Sequence, residues 1–314
     1  MKTRLLNAAR IPPDLEARLA QAYELTSLAA QADPEAFLKA HGSEFPALVT
    51  SAATGANGAL LAALPQLQVI SSFGVGLDKI DVAAAQARGI PVGYTPDVLN
   101  DCVADLAIAL MLDVARGISA ADRFVRRGEW TKATFPLMRK VSGAKLGIVG
   151  MGRIGRAIAQ RSTGFAMDLR YHTRKVVADV QWAHEPSLLE LAHWADYLIV
   201  ITAGGPATRH LINAQVLDAL GPDGFLVNVA RGSVIDEAAL VQALEQKRIG
   251  GAGLDVFENE PNVPAALMTL DNVVLLPHVA SATRETRQAM ADRVFDNLQS
   301  FFVQGRPVSA AGSP

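Results

Sequence analysis

An arginine, a carboxylate and a histidine stand just past successive apolar runs in the second half of this chain. Arg231 follows Phe225–Val229, Glu260 lies beyond Ala252–Val256, and His278 follows Val273–Leu276. Apolar runs of this length, alternating with helix-period segments, read as parallel strands covered on both faces. Open parallel sheets gather their ligands at the carboxyl ends of the strands. A guanidinium there pairs with a carboxylate through a fork of donors. An imidazole titrates near working pH and can protonate a forming alkoxide. A neighbouring carboxylate holds the ring and favours its protonated form. With a nicotinamide as hydride source, that set suits the reduction of a 2-keto acid. Taken singly, each residue also fits a plainer role. Arg231-Gly232 can turn the chain, Glu260 before Pro261 can be an exposed turn acid, and His278 can be a surface or capping group. Their common placement joins them, although spacing alone does not make them converge.

A place for the hydride source stands upstream. Gly150-Met151-Gly152-Arg153-Ile154-Gly155 follows the apolar run Leu146-Gly147-Ile148-Val149 and opens the helix-like Arg156-Ala157-Ile158-Ala159-Gln160. In a strand, glycine turn and helix of this kind, backbone N–H groups and a helix N-terminus face a pyrophosphate. The glycine spacing alone is a weak signal, and its flanking strand and helix are the context it requires. A ribose-binding acid is usually found about 20 residues on. Here the next strand, Leu169-Arg170-Tyr171, ends in His172-Thr173-Arg174-Lys175. Asp168 precedes the strand core and is expected to point away. A carboxylate would repel a 2′-phosphate, whereas a guanidinium pairs with one. Thr173, Arg174 and Lys175 therefore favour NADPH over NADH, a merely solvated Arg-Lys pair being the alternative.

These residues must be held by sheets, and the chain is long enough for two domains. Of its 314 residues half are apolar and 19% charged, an ordinary globular mix. The net charge of −2, without blocks of like charge, argues against nucleic-acid or acidic-membrane surfaces. Short, interrupted apolar runs predict no membrane span. Asn7, Arg10, Pro12 and Pro13 break the start before a signal-peptide core could form. The one cysteine, Cys102, excludes an internal disulfide and a multi-cysteine metal site, and it permits a reducing cytoplasm. Leu5-Leu6, Ala47–Val49, Val69-Ile70 and Ile90–Val92 read as strand cores in the first hundred residues, with helices at Asp14–Ala22 and Asp81–Arg88. Ile148-Val149, Tyr197–Ile201 and the three runs above follow. Helices are expected at Ser187–Trp194, Ala214–Leu220, Glu237–Gln246 and Thr283–Phe302. The alternation predicts parallel sheets with helices on both sides. A break falls near Tyr94-Thr95-Pro96-Asp97. Asn100–Arg116 reads as a helix too apolar for water, either a subunit contact or an interdomain core helix. The C-terminal helix, around Arg287–Phe302, is placed to cross back to the first domain.

Longer segments carry a family resemblance. Phe73–Asp81, Tyr94–Leu99, Gly147–Gly155, Asn228–Ser233, Gly253–Pro261 and Leu276–Val279 occur in the order found in D-2-hydroxyacid dehydrogenases. The chain most resembles the NADPH-dependent glyoxylate/hydroxypyruvate reductase branch. The resemblance implies an α/β fold of two Rossmann-like or flavodoxin-like domains with parallel sheets and the active site in the interdomain cleft. It implies a substrate domain at 1–98 plus 287–314 and a dinucleotide domain at 99–286. The catalytic set would be Arg231, Glu260 and His278. Substrate would meet Val75, Gly76, Arg231 and His278, since N–H groups in a glycine-rich turn suit an anion. Cofactor contacts would come from Gly150, Gly152, Arg153, Ile154, Gly155, Thr173, Arg174, Lys175, Val229, Ala230, Arg231, Asp255, His278 and Ser281, with Asp255 toward the nicotinamide carboxamide. A cytoplasmic homodimer paired through the cofactor domain is expected. One departure is Thr202-Ala203-Gly204-Gly205-Pro206, a looser turn where many members carry a proline and a threonine.

The expected activity is NADPH-dependent reduction of glyoxylate or hydroxypyruvate to the D-2-hydroxy acid. One alternative is a dehydrogenase for a bulkier acid of the sugar-acid, phosphoglycerate or aryl-pyruvate type. Another is a non-catalytic dinucleotide-sensing protein, which would not need Arg231, Glu260 and His278 together. Trp130 and Phe135–Arg139 are candidates to shape the pocket, within one chain or across the dimer; Arg139 is a candidate to read a second polar group of the substrate, with an interface or surface role equally open.

Overall fold

Apolar runs covered on both faces become parallel strands, and in the computed structural model they assemble two sheets. The structure describes residues 2–312. These fall into two units, one running to Leu99 and resuming at Ala282, the other spanning Asn100–Ser281.

In the first unit the strands are β1 (Arg4–Asn7), β2 (Glu24–Ser27), β3 (Ala47–Ser51), β4 (Val69–Phe73) and β5 (Val92–Gly93). Their order is β2-β1-β3-β4-β5, with every pairing parallel, as in flavodoxin-like sheets. Every residue of β3 and β4 is buried. Helices α1 (Pro13–Ala22), α2 (Pro34–His41), α3 (Gly58–Ala62) and α4 (Val82–Ala87) connect the strands. Asp33, Asn57 and Asp81 cap the last three, each side chain accepting an N–H three residues on. The C-terminal helix Arg284–Gln304 is part of this unit: Ser71 Oγ on β4 donates to the Val294 carbonyl at 3.1 Å.

The second unit opens with α5 (Asn100–Arg116) and α6 (Ile118–Arg126). Then come β6 (Lys145–Val149), α7 (Arg153–Ser162), β7 (Asp168–His172), β8 (Ala183–His184), α8 (Leu188–Trp194), β9 (Tyr197–Val200), α9 (Ala214–Leu220), β10 (Phe225–Asn228), α10 (Glu237–Glu245), β11 (Gly251–Leu254) and β12 (Val273–Leu275). The sheet order is β12-β11-β10-β9-β6-β7-β8. Strand order reverses between β6 and β9, and a doubly wound sheet forms its ligand crevice at that point.

Two segments singled out in the sequence find their places here. The apolar face of α5, with Val103, Ala107, Leu110, Met111 and Val114 buried, covers the sheet of its own unit. A side chain at Gly253 would meet Leu110 Cβ at 3.1 Å, and one at Gly251 would meet Val114 at 3.0 Å. Strand positions without side chains draw the helix onto the sheet, so packing within its own unit already covers these apolar residues. Arg139 donates to Asp223 at 3.2 Å and lies 3.8 Å from Asp196. Those carboxylates precede β10 and β9, at the amino edge of the sheet, so within its own unit Arg139 lies away from the carboxyl ends of the strands. Among the described residues no helix is long and apolar enough to cross a membrane.

Candidate active site

The glycine turn after β6 is shaped by close approaches. Gly150 has φ +107°, and a Cβ on it would stand 2.9 Å from the Ile201 carbonyl. A Cβ on Gly155 would lie 2.2 Å from the Gly150 oxygen. Only glycine at both positions lets β6, the turn and α7 close together. Gly152, the N-cap of α7, differs: nothing lies within 4 Å of its would-be Cβ, and no side chain caps the helix. A helix N-terminus without a side-chain cap, with its dipole, fits a pyrophosphate. Arg153 is exposed on the first turn, with Ile154 half-buried beside it. The Gly150 N–H donates to the His172 carbonyl at 3.0 Å, which ties the turn to the end of β7.

At that strand end Thr173 Oγ1 donates to the Lys175 carbonyl at 2.6 Å, and Arg174 and Lys175 are exposed. The buried Tyr171 anchors the loop by accepting the Val177 N–H at 3.0 Å. Asp168 is the first residue of β7, in register with Lys145, at the far end of the strand from Thr173. Cations and a hydroxyl, with no carboxylate from β7, occupy the carboxyl end. This donor set fits a 2′-phosphate.

The catalytic candidates sit in turns after β10, β11 and β12. Buried Asn228 folds the first turn: its side chain donates to the Arg231 carbonyl and accepts the Ala230 N–H, both at 3.0 Å. Val229 and Ala230 have buried side chains, so their backbones are what this turn can offer a ligand. Arg231 is half-buried, and its Nη1 donates to the Ala230 carbonyl at 2.7 Å. Gly232 then packs on the next turn, where a Cβ would fall 1.8 Å from the Phe257 carbonyl carbon.

Glu260 and His278 meet. Glu260 Oε2 lies 2.8 Å from His278 Nδ1, and Glu260 Oε1 accepts the Phe257 N–H at 3.1 Å. An ionised carboxylate only accepts, so Nδ1 carries the proton and Nε2 is left for a reacting group. Burial pushes the Glu260 carboxyl up, but the His278 hydrogen bond and charge, the Phe257 N–H and the Arg231 charge outweigh it. Glu260 therefore sits below the ordinary glutamate range, and the field of Arg231 reaches it.

His278 adopts φ +55°, a left-handed conformation uncommon outside glycine. Asp255 over-determines it. Its carbonyl accepts the His278 N–H at 2.9 Å, while its two carboxylate oxygens accept the Val279 and Ala280 N–H groups at 2.7 and 2.9 Å. Burial raises the Asp255 carboxyl above its ordinary value despite these bonds and the nearby His278 charge. Ser281, half-buried, follows the turn. The sequence marked Asp255 as a cofactor contact, not as the anchor of the histidine turn; its grip on that turn depends on a backbone conformation that composition does not show. Asn228 and Glu258 were likewise not singled out; alternation of polar residues with glycine at strand ends is their only signal.

On the first unit, Val75 and Gly76 follow β4 in a half-buried turn. Among the described residues neither N–H donates a hydrogen bond. The Thr95 N–H fixes the turn from behind by donating to the Gly74 carbonyl at 3.1 Å.

A doubly wound sheet, an open glycine turn and a histidine–carboxylate pair with an arginine define a nicotinamide-dependent oxidoreductase. Residues 108–280 match the family described as D-isomer specific 2-hydroxyacid dehydrogenase, NAD binding domain. The chain belongs to that family. It is 45% identical to glyoxylate/hydroxypyruvate reductase A of Arabidopsis thaliana over 288 residues, 92% of each chain. It is 49% identical to the 2-ketogluconate reductase of Gluconobacter oxydans over 255 residues, 81% of this chain and 82% of that one. Among solved structures, it superimposes on the NADPH-dependent glyoxylate/hydroxypyruvate reductase of Sinorhizobium meliloti, in complex with NADP and malonate, with TM-score 0.91 and 42% identity. That match covers 99% of this chain and 97% of the other.

Proposed function

We propose that the chain reduces small 2-keto acids, glyoxylate and hydroxypyruvate first among them, to D-2-hydroxy acids with NADPH. The 2.8 Å contact between His278 and Glu260 carries this reading, because it holds the ring through Nδ1 and leaves Nε2 to face a reacting group. The names of the Arabidopsis and Sinorhizobium relatives support the substrate class.

In this reading the N–H groups of Val75 and Gly76 bind the substrate carboxylate, and Arg231 pairs with it beside the keto oxygen. His278 delivers a proton to that oxygen as it gains charge. Glu260, ionised, keeps the imidazolium stable until transfer. The bound nicotinamide supplies the hydride. Gly150, Gly152, Arg153, Ile154 and Gly155 hold the pyrophosphate. Val229, Ala230, Arg231, Asp255, His278 and Ser281 line the nicotinamide end. Thr173, Arg174 and Lys175 bind the 2′-phosphate, so NADPH is preferred over NADH. The NADP in the Sinorhizobium structure supports that preference. Substrate anchoring falls to 1–98 plus 287–314 and cofactor binding to 99–286. We further propose a cytoplasmic homodimer paired through the cofactor unit. Its support is the run of exposed apolar side chains Ile118, Val125, Trp130, Leu137 and Met138 on and after α6.

Steady-state rates over a keto-acid panel with both reductants test the reading. The expected result is turnover of glyoxylate and hydroxypyruvate with NADPH well above NADH; no turnover on any keto acid overturns it. The likeness to a 2-ketogluconate reductase favours a sugar acid as second reading, and the same panel includes one.

A further inference from the structure

The turns after β9, β10 and β11 are laced into one layer beside the catalytic groups. The His210 N–H donates to the Ser233 carbonyl at 2.9 Å, and the Ile212 N–H to Val234 at 3.0 Å. Gly232 rests on the Phe257–Glu258 peptide. At the centre is Glu258, two residues before Glu260 and only 28% exposed in its side chain. Its Oε1 accepts from Arg209 Nη2 at 2.7 Å and lies 3.1 Å from His210 Nε2. Its N–H donates to Glu237 Oε1, at the start of α10, at 3.1 Å. His210 reaches this oxygen from a left-handed backbone, φ +49°. A non-glycine residue persists there only when its surroundings over-determine it.

We propose that Glu258 is a positioning residue: by gripping Arg209 and His210 it locks the β9 turn to the β11 turn and so keeps Glu260 aimed at His278. The mechanical link is short. Phe257, whose N–H fixes Glu260 Oε1, is the residue before Glu258. If the Glu258 grip is lost, the 257–260 backbone can shift, and Glu260 leaves the geometry that stabilises the imidazolium.

The inference rests on the proposed reduction, and its test separates the two. Glu258→Ala, Glu258→Gln and the double variant Glu258→Ala/Glu260→Gln are assayed with glyoxylate and NADPH. Misplacement of a catalytic group costs roughly ten- to a hundredfold. Glu258→Ala is therefore expected to lower kcat about tenfold or more while KM for glyoxylate stays within about twofold. Glutamine keeps an accepting oxygen for Arg209 and His210 and should restore kcat to within about threefold of wild type. Once Glu260→Gln has removed the carboxylate, Glu258→Ala should change kcat less than about twofold, the signature of one coupled unit. Hydrogen exchange across 257–260 should quicken in the alanine variant and not in the glutamine variant. Wild-type kcat in Glu258→Ala, glutamine no better than alanine, or fully multiplicative effects with Glu260→Gln would each overturn the proposal. If Glu258→Ala does not fold, Arg209→Gln/His210→Asn removes the grip from the other side, since asparagine tolerates the left-handed backbone; unchanged kcat there overturns it equally. Loss of turnover on every keto acid by the wild type would instead sink the underlying function, and the positioning role with it.

Discussion

Glu260 Oε2 stands 2.8 Å from His278 Nδ1. In the proposed reduction this carboxylate holds the ring that delivers the proton. Glu260→Gln should therefore lower kcat while KM for the keto acid changes little, and wild-type kcat in that variant would remove Glu260 from this role. His278→Ala should lower kcat about 10²–10⁴-fold, the usual contribution of general acid catalysis. Near-wild-type turnover would take His278 out of the mechanism.

The same pair affects stability with a definite sign. Burial opposes ionisation of Glu260, but His278, the Phe257 N–H and Arg231 hold its carboxyl below the ordinary value. A depressed carboxylate stabilises the fold above its unfolded value of about 4.3 and loses that contribution as pH falls through the folded value. Thermal melts of wild type and Glu260→Gln should converge as pH drops below about 4.3. A gap that widens there contradicts the assignment.

Asp255 works in the opposite sense. Burial lifts its carboxyl above the ordinary value, although Val279 and Ala280 both donate to it. A raised carboxyl contributes its stability at low pH and loses it as pH rises through the folded value. The difference in melting temperature between wild type and Asp255→Ala should be largest in acid and shrink toward neutrality. Activity should suffer at every pH, because two N–H groups of the His278 turn lose their acceptor, at about 1–3 kcal/mol for each left buried and unpaired. A variant with wild-type kcat would show that the turn holds its left-handed shape without Asp255.

Sequence legibility followed the physics of each element. Ile148-Val149 and Tyr197–Val200 are covered on both faces, so apolarity alone marked them as strands. β2, Glu24-Leu25-Thr26-Ser27, escaped because it is an edge strand without a buried residue. β8 is two residues long. The partnership of Glu260 with His278 was readable because both follow strands at one edge of a parallel sheet. The Asp255 and Glu258 contacts were not, since each depends on a left-handed turn, at His278 and His210, that no residue type announces. Asn100–Arg116 was placed as a helix to the residue. That the sheet of its own unit covers it was not legible, because it depends on glycines in β11 that leave room for Leu110 and Val114.

Arg174 and Lys175 are exposed at the end of β7, so the 2′-phosphate contact proposed for them would be electrostatic and screened by salt. Arg174→Asp restores the carboxylate that dinucleotide sites of this kind usually carry. It should raise KM for NADPH about tenfold or more, since a forked charge pair is exchanged for repulsion, while kcat/KM with NADH holds or rises. Raising ionic strength should lower kcat/KM for NADPH in the wild type and leave NADH little changed. Equal losses with both reductants would show that the strand end does not discriminate between them.

Leu137 is fully exposed, at 101% relative accessibility, and Trp130 is 71% exposed. Their segment is held to the unit from beneath: Phe124 packs edge-on to Phe135 at 5.5 Å, and the Arg139 N–H donates to the Ala115 carbonyl at 3.1 Å. An apolar arm fastened at its base and bare at its tip fits the contact between two identical subunits better than water. Leu137→Glu places a charge where a dimer would bury it, and the packing beneath it does not involve that side chain. Light scattering should give a dimer for the wild type and a monomer for Leu137→Glu, with the melting temperature of the variant dependent on neither concentration nor dilution. A wild type that is monomeric at micromolar concentration would leave the arm without the partner assigned to it and overturn the dimer.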